Sequence, residues 1–440
     1  MPLILSLFHP SRNLGPARTV AKDKDRVARA EIAYLWPYDI GADPSATFFQ
    51  RPAGLAEDFT VHLLTRAESR IPSVVAGKVR IQRGPAGRGI LARLTHLLFC
   101  VRWLARNQSR LSAVYTTGGL SIFTGWFARR FLGIRWVTEF WDHPFLERNY
   151  ARQNGDRGAS FFYLLRSLVA NRMARQADVV VCTGNVGMVR ALRPAAQKLI
   201  VSPNGADRSL FGRQATKSPN SPAEAVYVGW IGRARGAGLM FDAMQLLQSA
   251  GAPVRLTLVG PLVSRDREWI LRRQRKLEGC LSLTGRLPHA DVLWILEKCC
   301  LGLYPFPPEE ELEFIYPIKV FEYMAMGVVP VCTDLTGVRD IVRNGIDGFL
   351  FRTGSAKALA RCLLEAVRNG ARLGEMSHAA RKRAEQFRWD RIHARLNAEL
   401  ASRIGPRNAA LSPLAYAALK NRRIAGAAAR RPDPVHPLSR

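Results

Sequence analysis

Short runs of apolar, β-branched residues alternate with stretches of helical periodicity, and they do so twice along this chain. In the first half, 31–36 (EIAYLW), 60–64, 113–116, 135–139, 177–182 and 199–202 read as strands. Between them, 89–109, 123–132 and 163–176 carry apolar residues at helical spacing. Residues 213–224 (RQATKSPNSPAE) then break the pattern with polar residues and two prolines. The alternation restarts with strands at 226–231, 255–260, 281–283, 301–304, 329–333 and 349–351. Helices separate them at 239–251, 266–277, 289–298, 318–326 and 338–343, and two longer ones, 356–369 and 376–401, close the pattern. A strand followed by a helix returns parallel to its neighbour, and helices then cover both faces of the sheet. The expected fold class is α/β, with two doubly wound Rossmann-like domains. Their expected limits are 30–212 and 226–385, joined by a linker at 213–225. An extension (1–29), a C-terminal helix (386–403) and a basic disordered tail (404–440) lie outside them.

Charge separates the function classes. Sixty-five Lys and Arg against 35 Asp and Glu give a net charge of +30. The basic residues are spread along the chain among apolar ones, with no recognisable nucleic-acid module, so no nucleic-acid partner is expected. Two accounts stay open. One is an anionic membrane surface, near which each basic residue contributes about 1 kcal/mol; the other is compositional bias with no partner. The arginine-interleaved helix 89–109, with Leu98 and Trp103, and the tail would meet such a surface. No apolar segment approaches the roughly 20 residues that span a bilayer, and the start, MPLILSLFHPSRN, lacks the basic n-region of a signal peptide. A cytoplasmic protein, peripheral at the inner face of the membrane, is the expectation. The seven cysteines are odd in number and scattered without a CxxC pair, which excludes a zinc or disulfide framework and fits a reducing compartment.

The second half carries most of the candidate chemistry. Within 316–332 (YPIKVFEYMAMGVVPVC), Glu322 sits in a short apolar helix pattern that Gly327 stops before a buried strand. A carboxylate there lies near a sheet edge where α/β proteins bind ligands; a capping or solvent-facing role is the plainer alternative. Lys319 shares its helical face, as an ion-pair partner or as a ligand donor. Gly232-Arg233-Ala234-Arg235-Gly236 follows a strand directly. It reads either as a diphosphate cradle of backbone N–H groups and arginine, or as an ordinary glycine turn with solvated arginines. In the first half, Glu139-Phe140-Trp141-Asp142-His143-Pro144 ends a strand, where His143 or Asp142 can take an acid–base role or be merely structural. Asn204-Gly205-Ala206-Asp207 reads as a hydrogen-bonded turn.

The segment 316–332 resembles the nucleotide-sugar-binding signature of glycosyltransferase family 4, whose members have the two-domain GT-B fold. The resemblance covers roughly residues 30–400 and is strongest in the second half. It implies two domains facing across a cleft, and that Glu322 holds the ribose hydroxyls of a UDP- or GDP-sugar. Arg235, next to Gly236, and Lys319 would hold the diphosphate. Arg233 would supply a second arginine contact, since Trp230 follows Gly229 where relatives carry Arg. The resemblance places His143, Asp142 and the loop from Asp334 to Gly337 near the donor sugar, and Asn204 along the cleft. Gly41, with Ala42, takes the place of a Gly-Gly whose amides approach acceptor or phosphate. Two departures stand out. Trp141 occupies a common histidine position, and the first carboxylate of a Glu-x7-Glu pair falls on Phe314, leaving Glu313 one residue out. The implied activity is sugar transfer with retained anomeric configuration to a lipid-linked or growing polysaccharide acceptor, with no cofactor and no essential metal. A nucleotide-sugar epimerase of similar fold, and an inactive homologue that binds membrane or partner proteins, share these signals.

Overall fold

The computed structural model describes residues 29–36, 46–87, 89–141, 157–192, 196–213, 223–307 and 309–405. Gly41, Asp142, His143, the extension up to residue 28 and the tail from residue 406 lie outside the described residues. Seven parallel strands form the first sheet: β1 (Glu31–Leu35), β2 (Thr60–Thr65), β3 (Arg80–Arg83), β4 (Leu111–Thr116), β5 (Arg135–Phe140), β6 (Val179–Cys182) and β7 (Leu199–Val201). Their spatial order is β3-β2-β1-β4-β5-β6-β7. Six form the second: β8 (Ala223–Val228), β9 (Val254–Val259), β10 (Leu281–Gly285), β11 (Leu301–Tyr304), β12 (Val329–Thr333) and β13 (Phe349–Phe351), ordered β10-β9-β8-β11-β12-β13. Both orders reverse where the first strand meets the fourth, β1 beside β4 and β8 beside β11. At such a switch the following loops diverge to opposite faces, and a crevice opens at the carboxyl ends of the strands. The α/β class with two doubly wound sheets is thus present.

Several element boundaries differ from expectation. β3 (RIQR) is a part-exposed edge strand whose one apolar residue is Ile81, so no apolar run announces it. The strand expected at 226–231 runs Ala223–Val228, because Ala223, Glu224 and Ala225 pair with Val254, Arg255 and Leu256. Those three residues therefore belong to the sheet rather than the linker, and Gly229, at φ +139°, turns the chain out of it. The helix expected at 376–401 is two helices, Gly370–Ala384 and Trp389–Ile404, separated by a 3₁₀ turn at Glu385–Phe387. Pro330 sits in the central strand β12 at low cost. It pairs with Gly302 of β11, while β13 begins its pairing one residue later at Val331.

Helix Trp389–Ile404 returns to the first sheet. Leu396, Leu400 and Ile404 enter its core beside Phe49 and Leu55. Asn397 Nδ2 donates to the Gly54 carbonyl at 2.8 Å and to Asp58 at 2.7 Å. A buried ion pair fixes the carboxyl edge of the same sheet. Arg51, on helix Ala46–Leu55, donates from Nε to Glu139 at 2.8 Å and through its other nitrogens to the hydroxyl and carbonyl of Ser202. The Tyr115 hydroxyl donates to the second Glu139 oxygen at 3.0 Å. These bonds join the helix, β4, β5 and the end of β7. Removing one partner of a buried pair strands the other charge, at about 3–5 kcal/mol. Arg51→Ala and Glu139→Ala should each lower unfolding stability by about that amount, and the double variant by less than the sum. Urea unfolding that shows less than about 1 kcal/mol for both single variants would rule out this role.

Candidate active site

The crevice between β8 and β11 gathers two cations and a carboxylate. Past β8 the chain runs through Gly229 and a 3₁₀ turn, Arg233–Arg235, into helix Ala237–Ser249. Gly236 joins turn to helix at φ +81°, and a Cβ there would lie 2.0 Å from the Pro305 carbonyl oxygen. Only glycine lets the turn approach the end of β11 so closely. That approach sets the Arg235 guanidinium over the Phe306 ring, 5.2 Å from its centroid.

Helix Ile318–Ala325 supplies the other groups. Its apolar face buries Val320, Phe321, Tyr323 and Met324, and this orientation turns Lys319 and Glu322 toward the crevice, each partly open to solvent. The Tyr323 hydroxyl accepts the Val228 N–H at 3.1 Å and ties the helix to the end of β8. Lys319 Nζ lies over Tyr227 at 4.6 Å and over Phe306 at 5.2 Å, so Phe306 is shared by both cations. Among the described residues Lys319 meets these rings rather than closing an ion pair with Glu322. A Cβ on Gly229 would come within 2.7 Å of Nζ, so that glycine makes room for the ammonium. Burial, and then the neighbouring Arg235, lower the Lys319 ammonium to about 7. Burial raises the Glu322 carboxyl to about 7, opposed by Lys319. Both groups therefore sit near their change of charge at neutral pH.

The other expected residues are distributed differently. Arg233 turns toward helix Arg267–Arg275: its guanidinium stacks over Trp269 at 4.6 Å, and its backbone N–H donates to Asp266 at 2.8 Å. Glu313 is engaged in capping, accepting from the backbone N–H of Thr336 at 2.9 Å and from its hydroxyl. Asp334 forms a bidentate pair with Arg339, which holds its carboxyl below the usual range. Gly337 packs against the Ile315 carbonyl, which a Cβ would meet at 2.5 Å. Asn204 Nδ2 donates to the Tyr316 carbonyl at 3.2 Å, linking the loop after β7 to the second half. Phe314, at the position of the displaced carboxylate, packs against the core of the first half, and its carbonyl accepts the Asn185 N–H at 2.9 Å. Asn185 Nδ2 and the Tyr316 hydroxyl both donate to Asp340, at 2.6 and 2.7 Å. The departure from the paired-Glu pattern is thus occupied by a hydrophobic and hydrogen-bonded contact between the halves.

Sequence reasoning missed Tyr227, Phe306 and the Asn185–Asp340–Tyr316 cluster. Phe306 had a usable signal, since it lies two residues past the end of a strand at the switch point. The cluster had none, because its members are remote in sequence. At the switch of the first sheet a second concavity is lined by Trp36, Arg66, Arg93, His96, Leu120 and Thr124.

Comparison with known proteins agrees with this fold. The model described as "Glycosyl transferases group 1" matches residues 223–369, and that described as "Glycosyl transferase 4-like domain" matches 53–205. The putative colanic acid biosynthesis glycosyltransferase WcaL of Salmonella typhimurium is 26% identical over 233 residues, 51% of this chain and 57% of that protein. The amylovoran biosynthesis glycosyltransferase AmsK of Erwinia amylovora is 25% identical over 214 residues, 48% of this chain and 52% of that protein. The chain thus spans about half the length of the curated relatives it matches. Alr3699/HepE of Anabaena, solved in complex with UDP, superposes with a TM-score of 0.65 over 85% of this chain and 100% of that one, at 16% identity. With the two family models on its two halves and two doubly wound parallel sheets, the chain belongs to the family 4-type glycosyltransferases of the GT-B fold.

Proposed function

We propose that this chain transfers a sugar from a UDP- or GDP-linked donor to a lipid-linked or growing polysaccharide acceptor, retaining anomeric configuration and needing no metal. The observation that carries this reading is the convergence of Arg235 and Lys319 on one ring, beside Glu322, at a switch-point crevice. A nucleoside diphosphate offers several anionic oxygens, so a guanidinium and an ammonium brought to one ring can both bind it by charge-assisted hydrogen bonds. In this reading the two cations stabilise the charge that grows on the departing diphosphate, the work a divalent ion does in other transferases. Glu322 accepts hydrogen bonds from the ribose hydroxyls, and the donor sugar lies toward the loop of Asp334 and Gly337. Arg233, Glu313 and Asn204 have structural partners, so a sugar contact from any of them requires those bonds to open. The acceptor enters from the first half, where the concavity at Arg66 and Arg93 supplies cationic and apolar walls. The names of the two relatives, for colanic acid and amylovoran biosynthesis, support a polysaccharide or its lipid-linked precursor as acceptor. Among the described residues no helix is long and apolar enough to cross a membrane. A peripheral position at the inner membrane face completes the proposal.

UDP is the first diphosphate to test, because the Anabaena protein of this fold was solved with it. Glu322→Ala should weaken UDP binding by about 1.5–3 kcal/mol for each charge-assisted bond lost, with the fold intact. Unchanged affinity by calorimetry would remove Glu322 from the ribose site.

Arg235→Ala and Lys319→Ala should lower kcat more than they raise KM, because their contribution grows toward the transition state. Transfer should persist in EDTA. A pure KM effect, or activity abolished by the chelator and restored by added metal, would contradict departure driven by these cations.

Nucleotide affinity should follow a bell centred near pH 7. Below that value Glu322 protonates and loses an acceptor, and above it Lys319 loses its charge. Lys319→Arg should extend the alkaline limb, since a guanidinium stays charged. Calorimetric affinity that stays flat from pH 5.5 to 8.5, values about 1.5 units either side of neutral, would refute the coupled titration.

A further inference from the structure

We propose that the outer helical face of the first half is a docking surface for an anionic lipid bilayer, an inference that rests on the lipid-linked acceptor reading above. Helices Gly89–Asn107, Ser121–Phe131 and Arg157–Ala174 form one layer against the first sheet, with Ser121–Phe131 between the other two. Their inward faces fill the core with Cys100, Leu104, Ile122, Ala128, Ala170 and Ala174. Their outward faces are not the polar surface expected of helices covering a soluble sheet.

On the first helix Leu91, Leu94 and Leu98 are exposed at positions i, i+3 and i+7, with Leu91 at 71% and Leu98 at 54%. On the third, Phe161, Leu165 and Leu168 are exposed at i, i+4 and i+7, with Phe161 at 69%. Each stripe ends on an exposed arginine at i+11, Arg102 and Arg172. Phe131 closes the middle helix at 60% exposure beneath the Arg130 guanidinium. Single exposed leucines are ordinary, but repeated stripes on helices of one layer mark an interaction surface.

Charge identifies the occupant. The three helices contain no Asp or Glu, and Arg93, Arg102, Arg106, Arg130 and Arg172 stand in or beside the stripes. A second copy of this face would bring arginines against arginines. The segments 1–28 and 406–440 are themselves rich in Lys and Arg, so neither is drawn to it by charge. An anionic bilayer offers both complements, acyl chains for the leucines and phenylalanines and head-group phosphates for the guanidinium groups. Helices in a doubly wound sheet run antiparallel to the strands, so the apolar beginnings of both stripes lie at the edge that carries the crevice. A bilayer seated there presents a lipid-linked acceptor to the cleft.

Full-length protein should sediment with vesicles of phosphatidylcholine and phosphatidylglycerol and be released as salt approaches about 0.5 M, where screening lengths fall to roughly 4 Å. Replacing Leu94, Leu98 and Leu165 together with Gln should lower the partition coefficient at least about tenfold. Arg102→Gln with Arg172→Gln should reduce the preference for phosphatidylglycerol. These side chains point outward, so thermal stability and the UDP-induced thermal shift should match wild type in both variants. Vesicle binding unchanged in both, or binding indifferent to lipid charge and salt, overturns the proposal. So does a dimer in solution that the Leu→Gln changes dissociate, in a protein that ignores vesicles. Vesicle binding that behaves as expected in a chain that shows no UDP response supports the surface and refutes the donor site separately.

Discussion

Two positive charges facing one aromatic ring organise the second half of this molecule. Lys319 and Arg235 come from elements separated by more than eighty residues, yet both rest on Phe306. Burial, and then the neighbouring Arg235, lower the Lys319 ammonium to about 7. The scaffold leaves both side chains little choice of position. Gly236 locks the turn after β8 onto the end of β11, and Tyr323 locks helix Ile318–Ala325 onto β8. Contacts of this kind fix both elements before any ligand arrives, so binding in the proposed site would need little rearrangement.

The two halves meet through ordinary structural chemistry rather than through catalytic groups. Phe314 pushes into the first core from a loop of the second, where its ring lies so close to Gly187 that a Cβ there would meet it at 2.4 Å. Asp340 collects hydrogen bonds from Asn185 on one side and Tyr316 on the other. Helix Trp389–Ile404 then carries the end of the second half back to the first, and Arg51 with Glu139 stiffens the edge it reaches. The position of the first carboxylate of the paired pattern, Phe314 here, thus contributes to cohesion between the halves.

The positive charge is distributed unevenly in the described structure. Much of the arginine inventory enters ordinary ion pairs, as at Asp334, Asp347 and Asp390. The three helices over the first sheet differ, because they hold arginines with no acidic residue among them and leave leucines and phenylalanines in solvent. Composition alone left both a membrane surface and simple bias open, and placement on one layer is what favours the former.

The sequence by itself determined the α/β alternation, most strand positions in the second half, the motif around Glu322 and the identity of both cations. These are local properties: apolar runs fix buried strands, and glycines next to charged residues mark loops at strand ends. Tertiary structure alone decided the rest. The edge strand β3 has no apolar signature, because an edge needs none. Arg233 and Arg235 are indistinguishable in sequence, yet one stacks on Trp269 and the other on Phe306, since a 3₁₀ turn points alternate side chains to different neighbours. Glu313 reads as a ligand and serves as a cap, because Thr336 lies within reach only after folding. The exposed stripes of Leu91 and Phe161 look like core in one dimension. Only the sheet shows which side of each helix is already covered, because burial is a property of the packed chain and not of the residue.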